Sequence, residues 1–521
     1  MVEGEKIKDI LLQRKNMKFR LIIQGIIIGL ITGGVIVLNR LGINKLYSVF
    51  IKFYAWGNKG VVNAILVIIA LALIGLLVGL MVKREGMISG SGIPQVKGRV
   101  INKLKMNWLR ILIYKFLGGL LALSAGLSLG REGPSVQIGA SIGEGVAEKT
   151  CKKMPVKKEF LITAGASAGL SAAFNSPLSG IIFALEEIHR NFSPLVLLSA
   201  MAAAISADFI SKNFLGMEPA LNFSEMNAIP LKYYWILIIL GVLTGILGIL
   251  FSKGIYLFQD IYSKLKKVPQ EVKVMIPFVI TAIVGLIAPM LLGGGHELIL
   301  ELTSGEQSIL FLIIIYILKF LLLLVCFGSG VPGGIFLPML LLGAIIGDVF
   351  GVLSIELLGV DSSFIINFIA LGMAGYFVSV VKAPVTGIVL IMEMTGSFSH
   401  LLSLSVVVII SFITSELLRN EPIYEVLLER LLKRVGVNKE ENDNKKAILE
   451  FVVEMESIVE GKFISEVDWP KDCLLVSIKR GDKEIIPRGS VKLISGDYIV
   501  VLVNIDKRAS VIEEINGLTL V

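Results

Sequence analysis

Apolar residues run almost without interruption through Leu21–Leu38, Val62–Val82, Tyr234–Leu250 and Ile309–Phe327. Each run is long enough, or nearly so, to cross a hydrocarbon core of about 30 Å as a helix. Short stretches rich in Gly, Pro and charge separate them, so the pattern predicts a polytopic bundle of membrane helices. Apolar segments continue to about Leu418. Beyond them, Glu429–Lys446 is dense in charge and holds NKEENDNKK, a solvated linker. From Ala447 to Val521 short β-prone runs alternate with turns (CLLVSIKRG, KEIIPRGS, GDYIVVLVN), and a helix is expected over Ala509–Ile515. The expected organisation is an N-terminal segment 1–20, a membrane domain 21–430, a linker 431–446 and a small α+β domain 447–521.

Within the membrane part the sequence echoes itself. NSPLSGIIFALEEI (175–188) aligns with KAPVTGIVLIMEMT (382–395), which places Pro177, Gly180 and Glu186 on Pro384, Gly387 and Glu393. PSVQIGASIG (134–143) aligns without a gap with PMLLLGAIIG (338–347), matching Pro134, Gly139 and Gly143 to Pro338, Gly343 and Gly347. The same order and nearly the same separation imply two homologous halves. Gly and Pro interrupting apolar segments at corresponding places are expected of transporters with broken helices.

Composition sharpens this picture. The chain has 521 residues, 55% of them hydrophobic and 18% charged, too little polar cover for a water-soluble protein of its length. Its net charge of +8 gathers at Lys6–Arg20, Lys97–Lys115, Lys149–Lys158 and Lys264–Lys273, beside apolar segments. That placement fits cytoplasmic anchoring rather than nucleic-acid binding. The leader Met1–Arg20 is charged and followed by an overlong apolar run, unlike a cleavable signal peptide. Cys151, Cys326 and Cys473, and His189, His296 and His400, are scattered, so neither a disulfide framework nor a metal site is expected.

Four stretches carry candidate chemistry: GSGIP (90–94), GREGP (130–134), GSGVPGGIFLP (328–338) and NEPIYEVLL (420–428). Gly90 and Gly92 let the backbone approach a ligand, Ser91 offers a hydroxyl, and Pro94, Pro134 and Pro338 suit the first turn of a helix. Helix N-termini converging on one point would present N–H groups and positive dipole ends to an anion. These stretches offer donors rather than cation ligands. Chloride needs only partial positive charge, which lets a conducting site release as well as bind. Glu132, beside Arg131, carries the charge and acceptor character of the anion such donors would hold. It could therefore occupy the anion site when ionised and leave it when protonated; the alternative is a charged loop in water. Glu186 and Glu393 occupy equivalent helix ends, which suits a structural role. Glu187 has Met394 as its counterpart, so it is the ionisable group present in one half only, suited to receiving protons or to a wet helix end. Tyr424, read alone, is an interfacial aromatic.

With these motifs in place, the chain over roughly residues 20–430 resembles the CLC family of chloride channels and proton-coupled chloride transporters. The resemblance implies a homodimer in the cell membrane, each subunit with its own anion pathway built from two inverted halves of tilted and broken helices. It implies transported chloride and protons, no cofactor, and cytoplasmic termini. Residue by residue, Ser91 matches the anion-coordinating serine and Glu132 the external gating glutamate, flanked by Gly130, Arg131, Gly133 and Pro134. Gly333, Gly334, Ile335 and Phe336 match the stretch whose backbone amides at Ile335 and Phe336 face the central ion. Tyr424 matches the tyrosine that closes the inner side, and Glu187 the internal proton glutamate of the exchangers. The tail, through EGKFISEVDWP and residues 478–503, resembles the C-terminal subdomain of the RCK or TrkA family, a regulatory module; the resemblance implies dimerisation and leaves open a small ligand, since no basic or Gly-rich nucleotide loop is present. The favoured activity is chloride–proton antiport, not an enzyme reaction; a passive chloride channel and a receptor with a degenerate transport core are the alternatives.

Overall fold

The computed structural model describes residues 2–150, 158–190, 192–221, 223, 226–303, 307–436, 446–481, 483–504 and 507–519, with side chains from residue 17 onward except at residue 509. Cys151, most of the basic stretch Lys149–Lys158, and most of the charged linker lie outside the described residues. The chain forms two compact units, Met1–Leu431 and Leu432–Val521.

The first unit is helical and repeats. Its first half runs α1 (Val2–Gly57), α2 (Val61–Arg84), α3 (Ile93–Val100), α4 (Trp108–Ser124), α5 (Glu132–Thr150), α6 (Lys158–Phe174), α7 (Pro177–Phe183) and α8 (Pro194–Leu215). The second runs α9 (Tyr234–Lys264), α10 (Gln270–Ile287), α11 (His296–Leu302), α12 (Ile309–Gly328), α13 (Phe336–Leu358), α14 (Ile365–Val381), α15 (Pro384–Thr395) and α16 (Leu401–Leu417), followed by α17 (Ile423–Val435). Among the described residues eight helices are long and apolar enough to cross a membrane. Others cannot: α3, α7 and α11 span only 8, 7 and 7 residues. A helix that stops short leaves backbone groups that lipid cannot satisfy, so such ends must face protein or a polar path.

Contacts between the halves reveal their symmetry. Gly130 and Gly334, equivalent in the repeat, donate to each other's carbonyls at 2.7 Å in an antiparallel bridge. Equivalent residues that pair reciprocally lie on a local two-fold axis that relates the two halves. The same relation links Glu186 and Glu393. Glu186 accepts from the N–H groups of Val385 (3.2 Å) and Thr386 (2.8 Å) and the Thr386 hydroxyl (2.7 Å), at the start of α15. Glu393 accepts from Leu178 (3.0 Å) and Ser179 (2.7 Å) and the Ser179 hydroxyl (2.6 Å), at the start of α7. Each carboxylate therefore caps a helix of the opposite half, where free N–H groups and the dipole favour negative charge. The structural role expected at 186 and 393 is present, in crossed form.

Close packing follows the repeat too. A Cβ at Gly139 of α5 would strike the Gly165 carbonyl of α6, and one at Gly343 of α13 would lie 2.7 Å from the Gly372 carbonyl of α14. Small residues let both helix pairs approach backbone to backbone, the usual basis of packing in lipid.

The second unit is a four-stranded antiparallel sheet of β1 (Lys446–Val452), β2 (Cys473–Arg480), β3 (Lys483–Ile485) and β4 (Tyr498–Asn504), ordered β1-β4-β2-β3, with α18 (Arg508–Thr519). Phe451, Val501, Val503, Val511 and Ile515 form a core between sheet and helix. Buried Asp497 accepts from Arg480 Nε at 2.7 Å and from the Ile494 N–H at 3.0 Å; this pairing holds the Arg480 guanidinium above its usual pKa. The tail's first strand, β1, is not among the strands expected from the sequence.

Candidate ion pathway

The three Gly- and Pro-rich stretches meet where the halves join. Gly333 donates to the Gly90 carbonyl (3.1 Å) and Gly90 to the Gly330 carbonyl (3.4 Å), while the Gly130–Gly334 bridge ties the second stretch to the third. A Cβ on Gly133 would lie 2.9 Å from the Cβ of Ser91, so GSGIP also packs against GREGP. Gly92, at φ +92°, stands at the N-cap of α3, a left-handed conformation that favours glycine. Buried Ser91 sits one residue before it.

Helix starts converge here. The first bond of α5 joins the Ser135 N–H to the Arg131 carbonyl, and the first of α13 joins the Met339 N–H to the Ile335 carbonyl, both at 3.0 Å. Ahead of Met339 the backbone N–H groups of Phe336 and Leu337 have no partner four residues back, and Pro338 has no N–H at all. Ile335 is the N-cap of α13. The Phe336 ring is wedged among Phe377, Phe174 and Phe183 at centroid distances of 4.8, 5.3 and 6.1 Å, which fixes the backbone that presents these amides. Pro94 and Pro134 fall in the first turns of α3 and α5, as their chemistry suggests.

Glu132 is fully buried, which overturns the water-exposed loop reading. Neither carboxylate oxygen has a hydrogen-bond partner of full geometry, and the Arg131 Nε is 4.0 Å away. The carboxylate faces the backbone N–H of Leu337, at the start of α13 in the opposite half. An acid side chain thus stands before a helix N-terminus, where an anion would be held. Tyr424 is also fully buried, so the interfacial reading fails; its hydroxyl has no hydrogen-bond partner and lies within electrostatic reach of both Glu132 and Glu187.

Glu187 lies in a π-helical turn, Ala184–His189, that continues α7. Successive helical residues diverge by roughly 100°, so Glu186 turns to α15 while Glu187 turns to Lys97, with Nζ to Oε1 at 2.6 Å. Only 5% of the Lys97 side chain is exposed. The basic stretch Lys97–Lys115 is therefore no simple surface anchor: both its end residues are inside the protein. Lys115 donates to the carbonyls of Ile88 (2.8 Å) and Gly90 (2.6 Å), and its repeat equivalent Lys319 donates to Leu291 (3.1 Å) and Gly293 (2.7 Å). The sequence pattern reads Lys115 as part of an anchoring stretch and leaves Lys319 unmarked. The available signal was Lys319, a lone cation within an apolar span, standing opposite Lys115 in the alignment. Arg40 was missed as well; it donates to the Ala172 carbonyl, Asn175 Oδ1 and Ser211 Oγ at 3.0, 2.9 and 3.3 Å.

A polytopic helical protein whose inverted halves meet at broken helix ends has the architecture of a membrane transporter. The chain belongs to the voltage gated chloride channel family, whose model matches residues 74–416, and it carries a TrkA-C domain over residues 448–516. It is 36% identical over 350 residues to the H(+)/Cl(-) exchange transporter ClcA of Vibrio parahaemolyticus, covering 66% of this chain and 75% of that protein. To ClcA of Yersinia pestis it is 34% identical over 353 residues, covering 66% and 73%. Among solved structures it is similar to a slow cyanobacterial Cl-/H+ antiporter, with a TM-score of 0.76, 30% identity, and 80% and 99% of the two chains covered. A CLC-type fluoride/proton antiporter shares the fold, with a TM-score of 0.63, 24% identity, and 76% and 95% covered.

Proposed function

We propose that this protein exchanges chloride for protons across the cell membrane as a homodimer with cytoplasmic termini. The observation that carries the reading is the buried Glu132 carboxylate, without a side-chain hydrogen bond and set before the first turn of α13. In this reading Glu132 stands in for the transported anion. When it takes up a proton it loses its attraction for the helix end and gives the place to chloride, so one site links the two ions. Ser91, the amides of Ile335 and Phe336, and the Tyr424 hydroxyl bind chloride further in. Glu187 receives protons from the cytoplasmic side. The relatives named as H(+)/Cl(-) exchange transporters support this assignment. The TrkA-C domain is regulatory, and its small ligand is sought at the groove lined by Lys446, Lys471, Asp472 and Asn504.

The reversal potential of reconstituted protein under a chloride gradient, with and without a pH gradient, tests the exchange. A potential that shifts with the pH gradient is expected; one that ignores pH makes the protein a passive chloride channel. Cross-linking in liposomes tests the dimer.

A further inference from the structure

Behind Glu187 stand three charged groups that the signature stretches leave unexplained. Lys97 on α3 lies 2.6 Å from Glu187 Oε1 and 3.9 Å from Glu425 Oε1, and Arg190 forms a second ion pair with Glu425. Exposure rises in steps along this line, from 2% for the Glu187 side chain to 5% for Lys97 and 38% for Glu425. Glu425 directly follows Tyr424 in the first turn of α17. Two cations and two carboxylates balance, so the cluster is neutral when all four groups are ionised. That balance is unusual inside a membrane protein, where ionisable groups mark ion and proton routes.

We propose that Lys97 is a proton relay between the solvent-facing Glu425 and the buried Glu187. The proposal rests on the exchange reading above and names how protons reach its inner acceptor. In the first step the Lys97 ammonium gives a proton to the Glu187 carboxylate along their 2.6 Å hydrogen bond, leaving a neutral amine and a carboxylic acid. In the second, Glu425, having taken a proton from cytoplasmic water, gives it to the amine, which restores the ammonium and the Glu425 carboxylate. The net change is one proton moved from water to Glu187, with no electron transferred. Arg190 holds the Glu425 carboxylate beside the opening.

The alternative role for Lys97 is a fixed counter-ion, and the chemistry of Arg separates the two. Arg preserves the positive charge and the ion pairs but does not surrender its proton, whereas Lys does. Chloride and proton fluxes are measured in the same proteoliposomes for wild type, Lys97→Arg and Glu425→Gln. Lys97→Arg is expected to retain chloride flux and lose coupled proton flux by at least about 100-fold, the scale of a lost proton-transfer group. Glu425→Gln is expected to slow proton flux while chloride flux persists. Chloride flux in each variant certifies its fold. Coupled protons at the wild-type rate in Lys97→Arg overturn the relay and leave the exchange reading intact; so does an unchanged proton flux in Glu425→Gln, the informative variant should Lys97→Arg fail to assemble. A wild-type protein that moves chloride without protons overturns both readings.

Discussion

The two halves of the membrane unit agree in their scaffold and differ in their ionisable chemistry. Gly130 mirrors Gly334, Lys115 mirrors Lys319, and Glu186 mirrors Glu393, each pair making the same bonds in both halves. At the join, however, Glu132 stands opposite Phe336, Arg131 opposite Ile335, and Glu187 opposite Met394. Where the halves match, side chains satisfy the backbone of broken helices. Where they do not, a titratable group appears in the first half and an apolar one in the second. An inverted repeat thus supplies a frame with two similar sides, and departures from symmetry give it a direction.

The largest expected effect comes from removing the asymmetry at Glu132. Glu132→Gln, which cannot take part in proton exchange, should retain chloride flux and lose coupled proton uptake by at least about 100-fold. Flux assays with a pH-sensitive dye in proteoliposomes check it; wild-type proton uptake in this variant would remove the contrast between Glu132 and Phe336.

The symmetric positions make the opposite claim, that equivalent changes cost equally. Glu186→Ala and Glu393→Ala each strip a charged acceptor from two N–H groups and a hydroxyl, so each should destabilise the protein by about 3 kcal/mol. Thermal unfolding in detergent measures this, and a large difference between the two would show that the crossed caps are not equivalent. A smaller pair of losses, about 2 kcal/mol each, is expected for Lys115→Met and Lys319→Met, which leave two carbonyls unpaired in each half. Smaller still, deletion of residues 447–521 should leave chloride flux within about twofold of wild type, because every proposed ion ligand lies before residue 430. A dimeric but inactive truncation would place the TrkA-C domain in the transport machinery.

The sequence carried the repeat, the broken helices and the placing of Glu132 off the solvent because these rest on Gly, Pro and lone charges within apolar runs. Glu186 and Glu393 were legible as equivalent helix ends, but their crossing was not: a one-dimensional alignment pairs each residue with its counterpart, not with its counterpart's neighbour. Lys97 and Lys115 read as surface anchors because a lysine beside an apolar segment carries no mark of whether its ammonium faces water or protein. Tyr424 read as interfacial for a similar reason. Its burial depends on α17 turning back against the bundle, which local pattern does not encode. The strand β1 escaped notice because its partner, β4, lies some 50 residues further along.

The crossed caps also bear on the order in which the chain can be completed. Ser179 and Glu393 are 214 residues apart, so the start of α7 lacks its carboxylate until almost the whole membrane unit has been synthesised. At about 5–20 residues per second, that interval is roughly 10–40 s. During it, the first half exists in the bilayer with a helix end exposed and Glu186 without its partner on α15. Assembly is therefore closed by a late step that locks both halves at once. A nascent chain halted before Glu393 would present this unfinished joint to the proteases and chaperones that survey the membrane.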